Sequence, residues 1–259
     1  MKLKEWVASY AGCDGGSPDK SSIWFVGIEW GFAKDKGQND KEHDKSVADY
    51  HQGSMLESIK NGYAQPDADT FIMGENIDYP FGRNAGKLIA AVKGHTVDNY
   101  KIVAENTSDT DIFKLNLYPV ALPKDHDNLW IKFNLESLTG LKNKQDYRDY
   151  CKEHRFPFFR QEFRNHAPQL ILCTGTSYVE QFSKCFVGID EISDLHSEKI
   201  TDVSTNNNKP RTLFWKWVSQ DTLFVAVPFM TNAAGLNSHS LLQQFGDRIK
   251  KIMDEGNIH

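Results

Sequence analysis

The sequence has little cysteine, and its cysteines are not spaced for a metal site. The 259 residues include four of them, Cys13, Cys151, Cys173 and Cys185. Zinc and iron–sulfur sites usually draw on pairs of cysteines two residues apart, and no such pair occurs. We therefore expect no metal site, and the scattered spacing is typical of proteins in a reducing compartment.

The glycine-rich motifs of the common nucleotide-binding enzymes are also absent. Neither G-x-G-x-x-G nor a lysine-bearing phosphate loop follows any apolar run, which argues against nucleotide-dependent dehydrogenases and P-loop kinases. No serine lies in a G-x-S-x-G sequence, so the nucleophile of an α/β-hydrolase is missing as well. We expect the protein to work without a cofactor.

Positive charge is not in excess. The formal net charge is -5 and the sequence pI is near 6.0, which argues against a protein that coats nucleic acid, because nonspecific affinity comes mainly from neutralised phosphates. Basic residues do cluster late in the chain, where they either flank a groove or form the solvated face of a helix. These are Lys142, Lys144, Arg148, Lys152, Arg155, Arg160 and Arg164.

Long hydrophobic runs are missing too. No stretch approaches the length of a membrane span, and the first residues, MKLKEWVASY, contain no apolar segment of signal-peptide length. We expect a cytoplasmic monomer that does not associate with membranes.

The sequence does contain four short apolar runs, each ending in a polar or glycine-bearing turn. Such runs are typical of strands buried on both faces of a parallel sheet, and helical stretches lie between them. We predict an α/β fold in one domain, residues 1–259, with a central sheet of four mainly parallel strands and a polar insert near 33–61. An aromatic hairpin strand within 204–218 should pair with the last run. The four runs are 23–31, 112–120, 169–175 and 222–229.

Ligands of parallel sheets bind beyond the carboxyl ends of the strands. Glu29 follows the first run between two glycines, where it is either a general base or the partner of a nearby cation. Asn116 follows the second run, and its amide either reads an amide-like edge of a ligand or satisfies backbone groups in a turn. Asn232, after the fourth run, could donate to a developing anion or to a phosphate. His43 and His51 of the insert are predicted to be solvated.

Four segments together resemble the ordered motifs of the uracil-DNA glycosylase superfamily, nearest to its single-strand-selective and mismatch-specific branches. They are GIEWG from Gly27, PFG from Pro80, FKLNLYP from Phe113 and NAAGLN from Asn232. The resemblance implies a three-layer αβα sandwich. It also implies that Glu29 positions or activates water, that Asn116 reads the base and that Asn232 assists the leaving base. Further substrate-binding positions implied by the motifs are Gly27, Trp30, Phe32, Phe81, Gly235 and Asn237, with Phe32 or Phe81 stacking on the base.

The implied activity is hydrolysis of the N-glycosidic bond of a damaged or mismatched, uracil-type base, with DNA as the partner. Two departures from the family pattern favour an alternative. Trp30 stands where the first motif usually has proline, and Ala233 and Ala234 stand where the last has Pro-Ser. The alternative is a catalytically inactive module that binds nucleic acid or a protein. A hydrolase or transferase acting on a small nucleoside-like molecule is a third possibility.

Overall fold

Six strands and ten α-helices form within the residues that the structure describes. The computed structural model describes residues 2–65, 73–107, 111–124, 126–188, 192–202, 209–231 and 233–256. The strands are β1 Ile23–Gly31, β2 Ile112–Leu122, β3 Leu170–Thr174, β4 His196–Ile200, β5 Arg211–Trp217 and β6 Leu223–Val227. The helices are α1 Leu3–Val7, α2 Asp40–Tyr50, α3 Leu56–Asn61, α4 Pro80–Val92, α5 Tyr100–Glu105, α6 Asn128–Lys132, α7 Leu135–Thr139, α8 Lys144–His166, α9 Val179–Phe186 and α10 His239–Gly256.

The strands form one mixed sheet in the order β2-β1-β3-β6-β5-β4. The first four of these are parallel to one another and correspond to the four predicted apolar runs. The sheet is larger than the predicted four strands, because β5 and β4 extend it with antiparallel pairing. The pairing of β5 with β6 confirms the predicted hairpin strand. Strand β4 was not predicted, because its sequence HSEKI is polar and mostly exposed, so it lacks an apolar signal.

Helices pack on both faces of the sheet. One face of β1, with Trp24 and Val26, belongs to a core shared with Phe159 of α8. The alternate residues, including Phe25, pack in a second core with Leu88 of α4. The central strands are therefore buried on both sides, which is why their sequences are continuously apolar. Among the described residues, no helix is both long and apolar enough to cross a membrane.

The predicted polar insert is mostly helical. Asn39 caps α2 by accepting from Glu42 N, and the Glu42 side chain accepts in return from Asn39 N, a capping box. A π-helical turn, His51–Met55, joins α2 to α3. The two histidines predicted to be solvated are buried. His51 Nε2 donates to Ala121 O at 2.8 Å. The prediction was wrong because the many charged residues of the insert suggested that all of it is exposed.

Candidate functional site

A cavity of about 700 Å³ opens at the carboxyl ends of β1, β2 and β3. The chain passes from β1 to β2 on one side and later to β3 on the other, so β1 and β3 form the point where strand order reverses. Ligands of α/β sheets bind in the crevice at this point. The cavity is lined by the strand ends, by aromatic rings and by a few charged groups. Its lining includes Asp14, Gly27, Glu29, Trp30, Tyr79, Phe81, Lys114, Asn116, Lys124, Thr174, Tyr178 and Phe229.

Glu29 lies at the cavity wall and is almost fully buried. Its carboxylate forms an ion pair with Lys144, Oε1 to Nζ 2.9 Å, and the side chains are 6% and 0% exposed. Lys144 is the first residue of α8, which Asn143 caps by accepting from Asp146 N at 2.9 Å. Glu29 therefore lines the cavity and is the partner of a cation, as one of the two interpretations from the sequence expects, and its role as a general base stays a prediction.

Asn116 lies beside Gly27, its register partner on β1. The side chain is buried, and its Nδ2 donates to Gly12 O at 3.1 Å. A Cβ on Gly27 would lie 2.3 Å from Asn116 Oδ1, closer than real Cβ contacts allow. Gly27 is therefore the residue that lets the carboxamide pack against β1 while it faces the cavity.

Arg155 fixes the surroundings of Asn116 from beneath. This fully buried guanidinium in α8 donates to four main-chain carbonyls. Three belong to the N-terminal segment, at 2.9 Å to Val7 O, 2.9 Å to Ser9 O and 2.6 Å to Ala11 O, and the fourth is Asn116 O at 3.0 Å. It therefore holds the segment that carries Gly12 against the strand that carries Asn116.

The basic cluster at 142–164 thus contains two buried residues, Lys144 and Arg155, and not only a solvated helical face. Both support a predicted site residue from α8. Nothing in the sequence separates them from the exposed Lys142 and Arg164, because the sequence of α8 shows no clear apolar face that would mark its buried positions.

Residues 12–16 form a strap that runs beside β2, with Gly15 bridged to Lys114. Asp14 N donates to Lys114 O and Lys114 N donates to Gly15 O, each at 2.9 Å. The side chains of Asp14 and Lys114 form an ion pair at 2.5 Å, Oδ2 to Nζ. Both line the cavity. This pair was not predicted from the sequence, although Lys114 stands two residues before Asn116 and so points to the same face of β2.

Aromatic rings form the mouth and one wall of the cavity. Trp30, Tyr79 and Phe229 are each about two-fifths exposed, at 38%, 41% and 39%. Phe81, from the first turn of α4, lies deeper, with its ring centroid 5.4 Å from that of Phe229 and 6.1 Å from that of Phe25. Flat apolar walls of this kind suit a planar ligand.

Three predicted substrate-binding residues lie elsewhere. Phe32 does not line the cavity, and its ring packs against Trp30 and Tyr50 at 6.4 and 5.6 Å between centroids. Gly235 and Asn237 are likewise absent from the lining, because the stretch after β6 turns back to Phe229, where Leu236 N donates to its carbonyl. Asn232 lies outside the described residues.

Metal-binding chemistry finds no support in the part of the chain that the structure describes. No three His, Cys, Asp or Glu residues are grouped there to hold an ion. The buried thiols are poor ligands too, because burial raises the pKa of Cys151 to about 12 and that of Cys173 well above its usual range.

In comparisons with known proteins, no family model matches the chain and no curated protein matches its sequence. Support for a function therefore comes from the cavity and from the motif resemblance alone.

Proposed function

We propose that this protein is a DNA glycosylase-like hydrolase that cleaves the N-glycosidic bond of a uracil-type base. The observation that carries the proposal is the meeting of three groups in one cavity: the Glu29 carboxylate, the Asn116 carboxamide and the Phe81 ring. They come from β1, β2 and α4, which are far apart in the sequence. A carboxylate, an amide and an aromatic wall are the parts needed to bind a planar base and to attack its sugar.

The strand register orders these groups by depth. Glu29 pairs with Tyr118, Gly27 with Asn116 and Phe25 with Lys114, from the carboxyl end inwards. Two residues along a strand correspond to about 7 Å. A nucleotide that enters from the mouth would place its sugar near Glu29 and its base at the level of Asn116.

Glu29 is the group that we assign to the sugar. Hydrolysis of an N-glycosidic bond passes through a cation-like sugar, which a nearby carboxylate stabilises while it orients the attacking water. The ion pair with Lys144 holds that carboxylate in one position, since Lys144 is itself buried and fixed at the start of α8. A fixed charge needs little reorganisation when the sugar becomes positive.

Asn116 is the group that we assign to the base. Uracil-type bases present alternating carbonyl oxygens and a ring N–H, and a carboxamide offers both a donor and an acceptor to such an edge. The bond to Gly12 O fixes the plane of the amide. Asn232, which the motif resemblance implies as a second donor, remains an expectation.

The cavity mouth supports a nucleic-acid substrate. Three partly exposed rings, Trp30, Tyr79 and Phe229, surround it, and base stacking on such rings contributes about 1–3 kcal/mol per base. Lys124 is exposed at the same rim. With a net charge of -5, binding should be weak and should decrease as salt is raised.

The test is an alkaline-cleavage assay with oligonucleotides that contain uracil, hypoxanthine or a mismatched thymine. Removal of the base leaves an abasic site, which alkali cuts. We expect the wild type to remove the base from one of these oligonucleotides. Glu29→Gln should lower the rate of base removal by roughly 10²–10⁴. Glu153→Gln is the matched control, because that side chain is 74% exposed on α8 and outside the cavity. Asn116→Ala should also lose activity.

Other outcomes separate the alternatives. Cleavage of free deoxyuridine but of no oligonucleotide would indicate a small-nucleoside hydrolase. Binding of oligonucleotides in a mobility-shift assay without cleavage would indicate the inactive module, which Trp30, Ala233 and Ala234 favour. The proposal is refuted if the protein neither binds nor cleaves any of these substrates.

A further inference from the structure

We infer that Lys114 is a further catalytic residue, whose ammonium, held by Asp14, stabilises the base as it departs. The inference rests on the proposed function and adds a group that neither the motif resemblance nor the sequence analysis assigned. Lys114 and Asp14 both line the same cavity as Glu29 and Asn116.

The position of Lys114 fits the far end of a bound base. It lies two residues before Asn116 on β2, so the two side chains leave the same face of the sheet. Its register partner is Phe25, one level below Gly27 and two levels below Glu29. If the sugar lies at Glu29 and the base at the level of Asn116, the Lys114 side chain starts one level further in, about 7 Å away, and its length lets the ammonium extend to the edge of the base farthest from the sugar.

Lys114 and Asp14 form a mostly buried ion pair, and the desolvation of its two charges costs free energy of folding. The Lys114 side chain is only 16% exposed, and Asp14, its partner, is 15% exposed. Buried ions destabilise a fold unless they are well paired. Apolar residues at the same positions would hold the neighbouring segments together equally well. The main-chain bonds between Asp14, Gly15 and Lys114 already hold the strap on β2. Because both residues also line the cavity, the charged pair supplies a cationic group at the cavity wall in addition to any attachment.

The chemistry needs a cation at this place. When the bond between C1′ and the base nitrogen breaks, both electrons stay with the base, and its negative charge spreads onto the carbonyl oxygens. A hydrogen bond from the Lys114 ammonium to such an oxygen stabilises this anion. Water adds to C1′ and gives up one proton, and the base anion takes up one proton. The products are a neutral base and an abasic sugar.

The test of this inference compares two leaving groups. Single-turnover rates are measured on one oligonucleotide that carries either uracil or 5-fluorouracil, whose fluorine makes the base a better leaving group. For Lys114→Gln, we expect the rate on uracil to fall about 100-fold and the rate on 5-fluorouracil to fall about tenfold. The ratio of the 5-fluorouracil rate to the uracil rate therefore rises about tenfold. Partial unfolding does not change this ratio, because both substrates sample the same folded fraction.

Two further variants sharpen the result. Lys114→Arg keeps a cation and should return the ratio towards the wild-type value. Lys251→Gln is the control, because that side chain is 67% exposed on α10 and lies outside the cavity lining.

Each outcome decides the matter. A higher ratio in Lys114→Gln, with return in Lys114→Arg, supports the inference. Rates that fall equally on both substrates, or do not fall, overturn it while the proposed function stands, and Lys114 then only fastens the strap. A wild type that cleaves neither substrate overturns the proposed function and this role together.

Discussion

Replacement of Gly27 by alanine tests whether the carboxamide of Asn116 is held where the site needs it. The added Cβ would lie 2.3 Å from Asn116 Oδ1, and ordinary contact begins at 3.4 Å. The oxygen would therefore have to move by about 1.1 Å, the difference between these two distances. Such a movement strains or breaks the bond from Asn116 Nδ2 to Gly12 O, now 3.1 Å long.

The expected loss of stability follows from these contacts. Overpacking of a well-packed site costs about 1–3 kcal/mol, and a lost hydrogen bond costs about 1 kcal/mol. Alanine in place of glycine restricts the unfolded chain, which offsets about 0.4–1 kcal/mol. We expect Gly27→Ala to lower the free energy of unfolding by about 2 kcal/mol. In the glycosylase assay the rate should fall about 100-fold, because a 1 Å misplacement of a binding group has about that effect.

A double-mutant cycle isolates the cause. In an Asn116→Ala background the obstructing oxygen is gone, so Gly27→Ala should be neutral or stabilise by about 0.4–1 kcal/mol. The free energies of unfolding are measured by urea denaturation of the four proteins. Gly53→Ala is the control, because a Cβ there meets nothing within 4 Å. Equal destabilisation by Gly27→Ala in both backgrounds would refute the argument, since the clash would then involve something other than Asn116.

Three further changes address buried ionisable side chains. Lys144→Met leaves the buried Glu29 carboxylate without its cation and should cost about 3–5 kcal/mol in urea denaturation, and adding Glu29→Gln should recover part of that loss. Arg155→Lys cannot reach all of its carbonyl acceptors, so we expect a lower melting temperature and a larger rise in KM than fall in kcat, and an unchanged KM would contradict its positioning role. His51 is buried, and this burial lowers its pKa below the usual 6.5. The unfolded chain therefore binds more protons below about pH 6.5, and stability is lost as the pH falls from there through the lower folded pKa. His51→Gln should flatten this loss in melting temperature between pH 7 and 5, whereas replacement of the exposed His95 by glutamine should not.

The parallel core of the sheet was predictable because burial on both faces leaves a continuous apolar signal. Strand β1 has the predicted bounds, and β2 is only longer at its end. Strand β4 left no such signal, since it is an edge strand with mostly exposed side chains. Edge strands depend on their neighbour for pairing more than on their own sequence. Helix α2 is different, because its capping box of Asn39 and Glu42 is a local signal that the sequence carries.

The candidate site was predictable where a polar residue follows an apolar run, at the end of a predicted strand. Glu29 and Asn116 were found in this way, and the structure brings them to one cavity. Their supporting residues, Lys144 and Arg155, were not singled out, because their roles depend on tertiary contacts across the fold. The Asp14 and Lys114 pair was missed for the same reason, since no local pattern joins the strap to β2.

The N-terminal segment has a consequence for how the cavity comes into being during synthesis. The N-terminal part of the cavity wall is synthesised first, but the residues that hold it in place are synthesised much later. The hydrogen-bond partner of Gly12 is Asn116, 104 positions downstream. Glu29 pairs with Lys144, 115 positions downstream, and Val7 accepts from Arg155, 148 positions downstream. Contacts across such long loops form slowly, because chain entropy must be overcome before they stabilise anything. A nascent chain on the ribosome therefore cannot complete the cavity before α8, β3 and Phe229 have emerged, and until then the aromatic rings made earlier, Trp30, Tyr79 and Phe81, are exposed to other chains.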